Sequence, residues 1–262
     1  MLINKISTKL QLSTTKAKIL TNVLWATTGK VVTLLSTLVV GILVARYLGP
    51  AQYGLMNYII SIVTLFTVFA TFGTTEIIIR ELAKKDLPKE IILGSSFVVR
   101  ISLAAITYIA IIIYLLLSNE STEANTLILI YATSIFFSSF DVIRFYFTSI
   151  IENKYIVKSE IFRTTIGALI KIILLLCKAP LITFIIALAF DFALLASGYI
   201  VAYKKKVDSP AKWKVSKQFI KRLLSTSFPL LISSAAMIIY QRIDQVMIGK
   251  MMNDESVGYF ST

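Results

Sequence analysis

The sequence has no histidine and only one cysteine, Cys177. These absences exclude catalytic triads built on a histidine base, internal disulfides and Cys/His metal clusters. Charged residues make up only 16% of the 262 residues, whereas about a quarter is usual in a soluble domain. Hydrophobic residues make up 56% of the chain, and its mean hydropathy is +0.80, which indicates an integral membrane protein. Because the residues of an acid–base or metal site are missing, we expect that it is not an enzyme.

The apolar runs are continuous and do not alternate with polar residues, so they predict membrane helices rather than barrel strands. Each run is long enough to cross a hydrocarbon core of about 30 Å at 1.5 Å per residue. Seven spans are predicted: 22–46, 53–79, 91–117, 126–150, 157–177, 181–202 and 224–250. The expected fold is therefore an all-α polytopic membrane protein.

The net charge of +13 indicates how the chain is oriented in the membrane rather than nucleic-acid binding, because the cations lie in short segments between the spans. Nineteen cations fall on one set of connections, whereas only Arg46, Lys178 and Lys250 fall on the other. The excess of Lys and Arg predicts that the N-terminal segment, residues 1–21, is cytoplasmic and that the last helix ends outside.

A basic connection, residues 203–223, separates the six helices of residues 22–202 from the seventh helix in residues 224–262. We expect it either to lie on the membrane surface, with Trp213, Phe219 and Ile220 in lipid, or to be a solvated linker. The segments LGPAQYGLMN (48–57) and KMMNDESVGYFS (250–261) resemble each other weakly, as internal repeats of transporters do. The seventh helix would then open a second, truncated copy, and an intact native mass near 29 kDa would refute this.

Three segments carry a resemblance to a known family: GKVVTLLSTLVVGILVARYLGPAQYGLMNYIISI, FGTTEIIIRELAKK and DQVMIGKMMNDESVGYFS. Together they resemble bacterial polysaccharide repeat-unit flippases of the Wzx type, in the superfamily of MATE antiporters and lipid II flippases. The resemblance implies two six-helix lobes around a central cavity in the bacterial cytoplasmic (inner) membrane. It also implies a substrate, an undecaprenyl-pyrophosphate-linked oligosaccharide for O-antigen, capsule or exopolysaccharide, and possible contact with the polymerase machinery. No cofactor is expected beyond coupling to a proton or sodium gradient.

Charged residues inside a span are costly, so they are expected to face a partner or a cavity. Glu76 and Arg80 are spaced to pair on one helix, as are Asp141 and Arg144. Lys171 and Asp191 flank the turn at Pro180 at similar depth, which predicts either a packing ion pair or an Asp191 that takes up a coupling ion. Glu76 is a second candidate for ion coupling because it lies in a segment that carries the resemblance.

Arg100 has no acid nearby on its own helix and is predicted to line the cavity, whereas Lys30 is shallow enough to reach the cytoplasmic surface. On the seventh helix, Gln241, Arg242, Asp244 and Gln245 share an arc of about 160° that cannot face lipid. Arginine side chains suit a diphosphate because a guanidinium donates two parallel hydrogen bonds to phosphate oxygens. The predicted substrate route passes Arg144 on the inner side, Arg100 at the centre and Arg242 on the outer side. Gln241 and Gln245 lie beside Arg242, and Asp244 either balances the charge of Arg242 or takes up the coupling ion.

Two rival functions remain open at this point. A MATE-like cation-coupled drug antiporter would need uncompensated acids, whereas cations outnumber acids within the spans. A membrane glycosyltransferase or ligase would need a carboxylate cluster or another acid–base site, and the sequence has no DxD motif. The same charged residues could also act only as packing pairs between helices.

Overall fold

In a computed structural model that describes residues 14–118 and 120–261, with side chains from residue 22 onward, the chain folds into α-helices connected by short turns. Most of the predicted N-terminal segment, residues 1–13, lies outside the described residues. The helices are α1 (Thr14–Thr71), α2 (Thr74–Lys84), α3 (Lys89–Leu117), α4 (Thr122–Ala132), α5 (Ser134–Ser138), α6 (Asp141–Ser149), α7 (Asn153–Leu176), α8 (Leu181–Lys206), α9 (Lys217–Met251) and α10 (Asp254–Phe260), with a 3₁₀ turn at Pro210–Lys212.

Five helical segments are long and apolar enough to cross a membrane: Asn22–Thr71, Lys89–Leu117, Thr122–Ser149, Leu181–Lys206 and Lys217–Met251. No strand occurs among the residues that the structure describes. These findings confirm the all-α polytopic membrane fold. The predicted span 157–177 is not among the five because its helix, α7, carries Glu160, Arg163 and Lys171 in its most apolar part.

Helix α1 contains the first predicted span and most of the second, joined by a bend at Gly49. Gly49 adopts φ 69° and ψ 172°, a backbone conformation that is accessible essentially to glycine alone. Pro50 then starts the second segment, where its missing N–H and fixed φ suit a first helical turn. Because the 50 residues from Asn22 to Thr71 extend far beyond one hydrocarbon core, the bend permits two crossings.

The predicted fourth span is one apolar segment but three short helices, α4, α5 and α6. The hydroxyls of Thr133 and Ser138 each donate 2.7 Å hydrogen bonds to a carbonyl three residues earlier, on Ile130 and Ile135. Such bonds compete with the regular helical ladder and bend the helix. The interruptions place the backbone carbonyl of Ser138 and the carboxylate of Asp141 next to Arg100 of α3.

Two hydrophobic clusters occupy the two ends of the bundle. One surrounds Ile78, Leu93, Phe145 and Tyr203 at what we call the basic end, where α2 and α8 end and α3 and α7 begin. The other surrounds Leu48, Ile59, Leu127, Phe184 and Val257 at the opposite end.

The basic connection after α8 contacts the bundle through the side chain of Trp213. The indole of Trp213 packs between Phe97 and Tyr203, with ring centroids 5.6 and 5.8 Å away, and donates a 3.3 Å hydrogen bond to the Tyr203 hydroxyl. Phe219, expected in lipid, is only 3% exposed. The Asp208 carboxylate accepts hydrogen bonds from Lys212 and from the Ser209 backbone N–H, and these bonds lower its pKa.

Candidate functional site

Two adjoining cavities run along the first segment of α1 and the facing side of α7. The larger, near the basic end, has a volume of about 850 Å³ and is lined by Lys30, Arg144, Arg163 and Glu160 among others. The smaller, of about 200 Å³, reaches Lys171 and Asp191. Thr37 and Arg163 line both cavities, so the two spaces meet at these side chains.

A polar stripe on α7 forms one wall of this site. Its polar members are Glu160, Arg163, Thr164 and Lys171, with Gly167 between them, and each of these residues lies three or four positions from another. Since residues three and four apart share one face of a helix, the spacing turns all of them in the same direction. This pattern could have identified Arg163 from the sequence, where it counted only as a cation of the basic connections.

Close contacts fix the first segment of α1 against α7 at the basic end. A side chain at Gly29 would put a Cβ 2.5 Å from Val157 Cγ1, so glycine allows the two helices to approach closely there. The backbone N–H of Asn153 donates a 2.7 Å hydrogen bond to Asn22 Oδ1. Lys30, which follows Gly29, lines the larger cavity near the basic end, and its reach to the cytoplasmic surface stays a prediction.

The predicted pairing of Lys171 with Asp191 is confirmed, with Lys171 Nζ 2.6 Å from Asp191 Oδ2. Gly167 makes room for this carboxylate, because a Cβ there would lie 2.2 Å from Asp191 Oδ1. Asp191 Oδ1, Thr164 Oγ1 and Arg163 Nε are buried without a hydrogen-bond partner among the described residues. Buried polar atoms normally have partners, so these three are exceptions, and all of them belong to residues that line the smaller cavity.

Arg100 is only 2% exposed, so its guanidinium is enclosed by the bundle, although it was predicted to line the cavity. It donates 3.4 Å hydrogen bonds to Thr74 Oγ1 and the Ser138 carbonyl, and its Nη2 lies 4.0 Å from Asp141 Oδ2. Within the described residues the carboxylate of Asp141 makes its ion pair with Arg100, and the charge of Arg144 also acts on that carboxylate, as the spacing on one helix predicted. Arg144 lines the larger cavity.

The four polar residues of α9 occupy half-buried and exposed positions, and they are Gln241, Arg242, Asp244 and Gln245. Arg242 Nη1 donates a 3.0 Å hydrogen bond to Gln245 Oε1, which also accepts from the Ser61 hydroxyl. Gln245 Nε2 donates to Ser261 Oγ at 3.2 Å, whereas the side chains of Gln241 and Asp244 are exposed.

The predicted pairing of Glu76 with Arg80 is wrong. Glu76 is exposed, and Arg80 Nη2 lies 3.6 Å from Glu81 Oε1. Glu81 is buried at the basic end, where its carboxylate also pairs with Lys84 at 3.5 Å and with Arg222 of α9 at 2.5 Å. Sequence reasoning missed this cluster because Arg222 lies 141 residues further along the chain.

Comparison with known proteins identifies a family. A family model described as "Polysaccharide biosynthesis protein" matches residues 19–262, which is most of the chain. Searches of curated proteins and of solved structures give no match.

Proposed function

Because the chain belongs to the polysaccharide biosynthesis protein family, we propose that it is a flippase that carries undecaprenyl-pyrophosphate-linked oligosaccharides across the bacterial cytoplasmic membrane. The exported repeat units would serve surface polysaccharide assembly such as O-antigen, capsule or exopolysaccharide. In this proposal the protein is a Wzx-type member of the superfamily that includes MATE antiporters. It acts by transport rather than by catalysing a reaction.

The charge of the larger cavity is the observation that carries the proposal. Three cations, Lys30, Arg144 and Arg163, face one acid, Glu160, so the lining carries an excess of two positive charges. Placing such a lining in a membrane bundle costs free energy unless a counter-charge or a functional ligand compensates it. A diphosphate supplies that counter-charge, and guanidinium groups bind it with paired charge-assisted hydrogen bonds.

The proposed path begins at the basic end, which we assign to the cytoplasm together with the N-terminus because of its excess of Lys and Arg. Arg163 and Arg144 receive the diphosphate there. Arg100 orders the broken helix behind the cavity, and Arg242, Gln241 and Gln245 offer contacts further along the path. The transition between inward-open and outward-open states follows the alternating-access scheme of transporters built from repeats.

Coupling to a proton or sodium gradient is assigned to acids along this path. Asp191 is the leading candidate because its Oδ1 is buried without a partner at the wall of the smaller cavity. Asp244 and Glu76 are exposed and remain secondary candidates. The partners are membrane lipids, the lipid-linked oligosaccharide and the polymerase machinery that receives it.

The test replaces Arg163 by glutamine in the full-length protein and follows lipid-linked repeat units in a strain that depends on it. We expect complete repeat units to accumulate in the cytoplasmic leaflet, with transport reduced about 10- to 100-fold. That range corresponds to the loss of one hydrogen-bonded charge of about 1.5–3 kcal/mol. Leaflet-specific enzymatic labelling of the saccharide measures the distribution.

Lys158→Gln is the matched control, because Lys158 is exposed on the same helix and lies outside both cavities. It removes one positive charge from α7 and should leave transport unchanged. Equal transport by both variants would refute the role of the larger cavity. A normal distribution of saccharides in cells without the gene, together with reduced drug efflux, would favour the rival antiporter function.

A further inference from the structure

Helix α10 packs directly against the bend of α1 at the opposite end of the bundle. Asn253 precedes α10 and caps it, since its Oδ1 accepts a 2.8 Å hydrogen bond from the backbone N–H of Ser256. Val257 of α10 is fully buried. The contact joins the two segments of the sequence that resemble each other, around residues 48–57 and 250–261.

Two glycines make this contact reciprocal. A Cβ at Gly54 would lie 1.6 Å from the carbonyl oxygen of Asp254, and a Cβ at Gly258 would lie 2.1 Å from the carbonyl oxygen of Pro50. Aligning PAQYG (50–54) with DESVG (254–258) makes Pro50 equivalent to Asp254 and Gly54 equivalent to Gly258. The first residue of each segment therefore faces the glycine of the other, as in a two-fold symmetric contact.

Side chains near this contact connect the same elements. The Tyr58 hydroxyl donates a 2.6 Å hydrogen bond to Glu120 Oε1, which lies 3.6 Å from Lys250 Nζ. Gly249 of α9 approaches the Tyr58 ring so closely that a Cβ there would lie 2.5 Å from Cδ2. At the opposite end, α10 thus meets α1 through backbone contacts and α9 meets α1 through the ring of Tyr58, whereas the larger cavity lies near the basic end.

We infer that the start of the second segment of α1 and helix α10 form a closure at the opposite end, which must open in every transport cycle. This inference rests on the proposed function. Small residues at the contact allow backbones to meet without interlocking side chains. Each segment also follows a turn, at Gly49 or at Met252–Asn253, so each can move with its helix start as a hinged unit.

The first test locks the closure in the full-length protein after replacing Cys177 by serine. Tyr58→Cys and Gly249→Cys are combined, because the Cβ that Gly249 would carry lies 3.3 Å from Tyr58 Cγ, within reach of a disulfide or a short bis-thiol linker. Cross-linking is measured by protection from a maleimide mass tag. We expect at least a tenfold loss of transport on cross-linking and recovery on reduction.

Ser159→Cys with Gly198→Cys is the control pair, because a Cβ at Gly198 would lie 2.9 Å from Ser159 Cβ on the neighbouring helix. Cross-linking it should leave transport unchanged. Persistent transport by the protein cross-linked between positions 58 and 249 would overturn the inference. Failure of these two cysteines to cross-link would overturn it as well. Absence of transport by the cysteine-free parent would instead count against the proposed function.

A second test is independent of transport. In the variant Ser61→Cys, made in the protein with Cys177 replaced by serine, labelling by a membrane-impermeant thiol reagent added outside intact cells should be slow, since Ser61 is fully buried behind the closure. Adding Gly258→Leu should separate α10 from Pro50 and speed this labelling at least tenfold. Equal labelling with and without Gly258→Leu would overturn the inference.

Discussion

Helices α7 and α9 both carry a series of polar side chains, but these side chains lie in different surroundings. The polar stripe of α7 faces cavities, and its Lys171 pairs with a carboxylate on α8. On α9, Arg242 bonds to Gln245 on its own helix, and Gln241 and Asp244 are exposed. Polar residues repeated every three or four positions along a helix line an extended cavity wall. Polar residues within five positions of each other can instead form hydrogen bonds among themselves.

The largest expected effect comes from breaking the buried pair behind the α7 stripe. Lys171→Ala leaves the Asp191 carboxylate charged and unpaired, which should lower the free energy of unfolding by about 3–5 kcal/mol. Denaturant or thermal unfolding of the detergent-solubilised full-length protein measures this change.

A double variant separates stability from transport at this pair. Lys171→Met combined with Asp191→Leu removes both charges and should recover most of the lost stability, because no buried charge is left unpaired. If Asp191 couples transport to an ion gradient, the double variant should remain inactive although it is stable. Active transport by this variant would exclude Asp191 as the coupling group.

A smaller effect is expected at the glycine that accommodates Asp191. Gly167→Ala introduces a Cβ that would lie 2.2 Å from Asp191 Oδ1, so the carboxylate must shift, at a cost of about 1–3 kcal/mol of stability. Gly41→Ala is the stability control, because no atom lies within 4 Å of a Cβ there and alanine favours the helix by up to about 1 kcal/mol. Opposite signs of the two changes are expected, and two equal changes would contradict the tight packing of α7 against α8.

The sequence predicts part of this site and misses part for identifiable reasons. The pairing of Lys171 with Asp191 was one of the two predicted arrangements, because the two residues lie at similar depth on either side of Pro180 in a short hairpin. The sequence did not predict the hydrogen-bond partners of Arg100, because Thr74 and Ser138 come from other helices. The carbonyl of Ser138 reaches Arg100 only because the fourth span is interrupted there. That break depends on hydroxyl groups bonding backwards along the helix, which the hydropathy of residues 126–150 conceals.

The smallest effect is expected when the hydrogen bonds of Gln245 on α9 are removed. Gln245→Ala removes the acceptor of Arg242 and Ser61 and the donor to Ser261, so it should cost about 0.5–1.5 kcal/mol for a partly exposed network. Gln241→Ala, at an exposed position on the same helix, should change stability by less than about 0.5 kcal/mol. The free energy of unfolding is measured for both variants. Equal changes would mean that Gln245 contributes no more to stability than an exposed side chain. Arg242 would then be free of its local partner and available to a ligand, as the α7 cations are, and the contrast between the two helices would disappear.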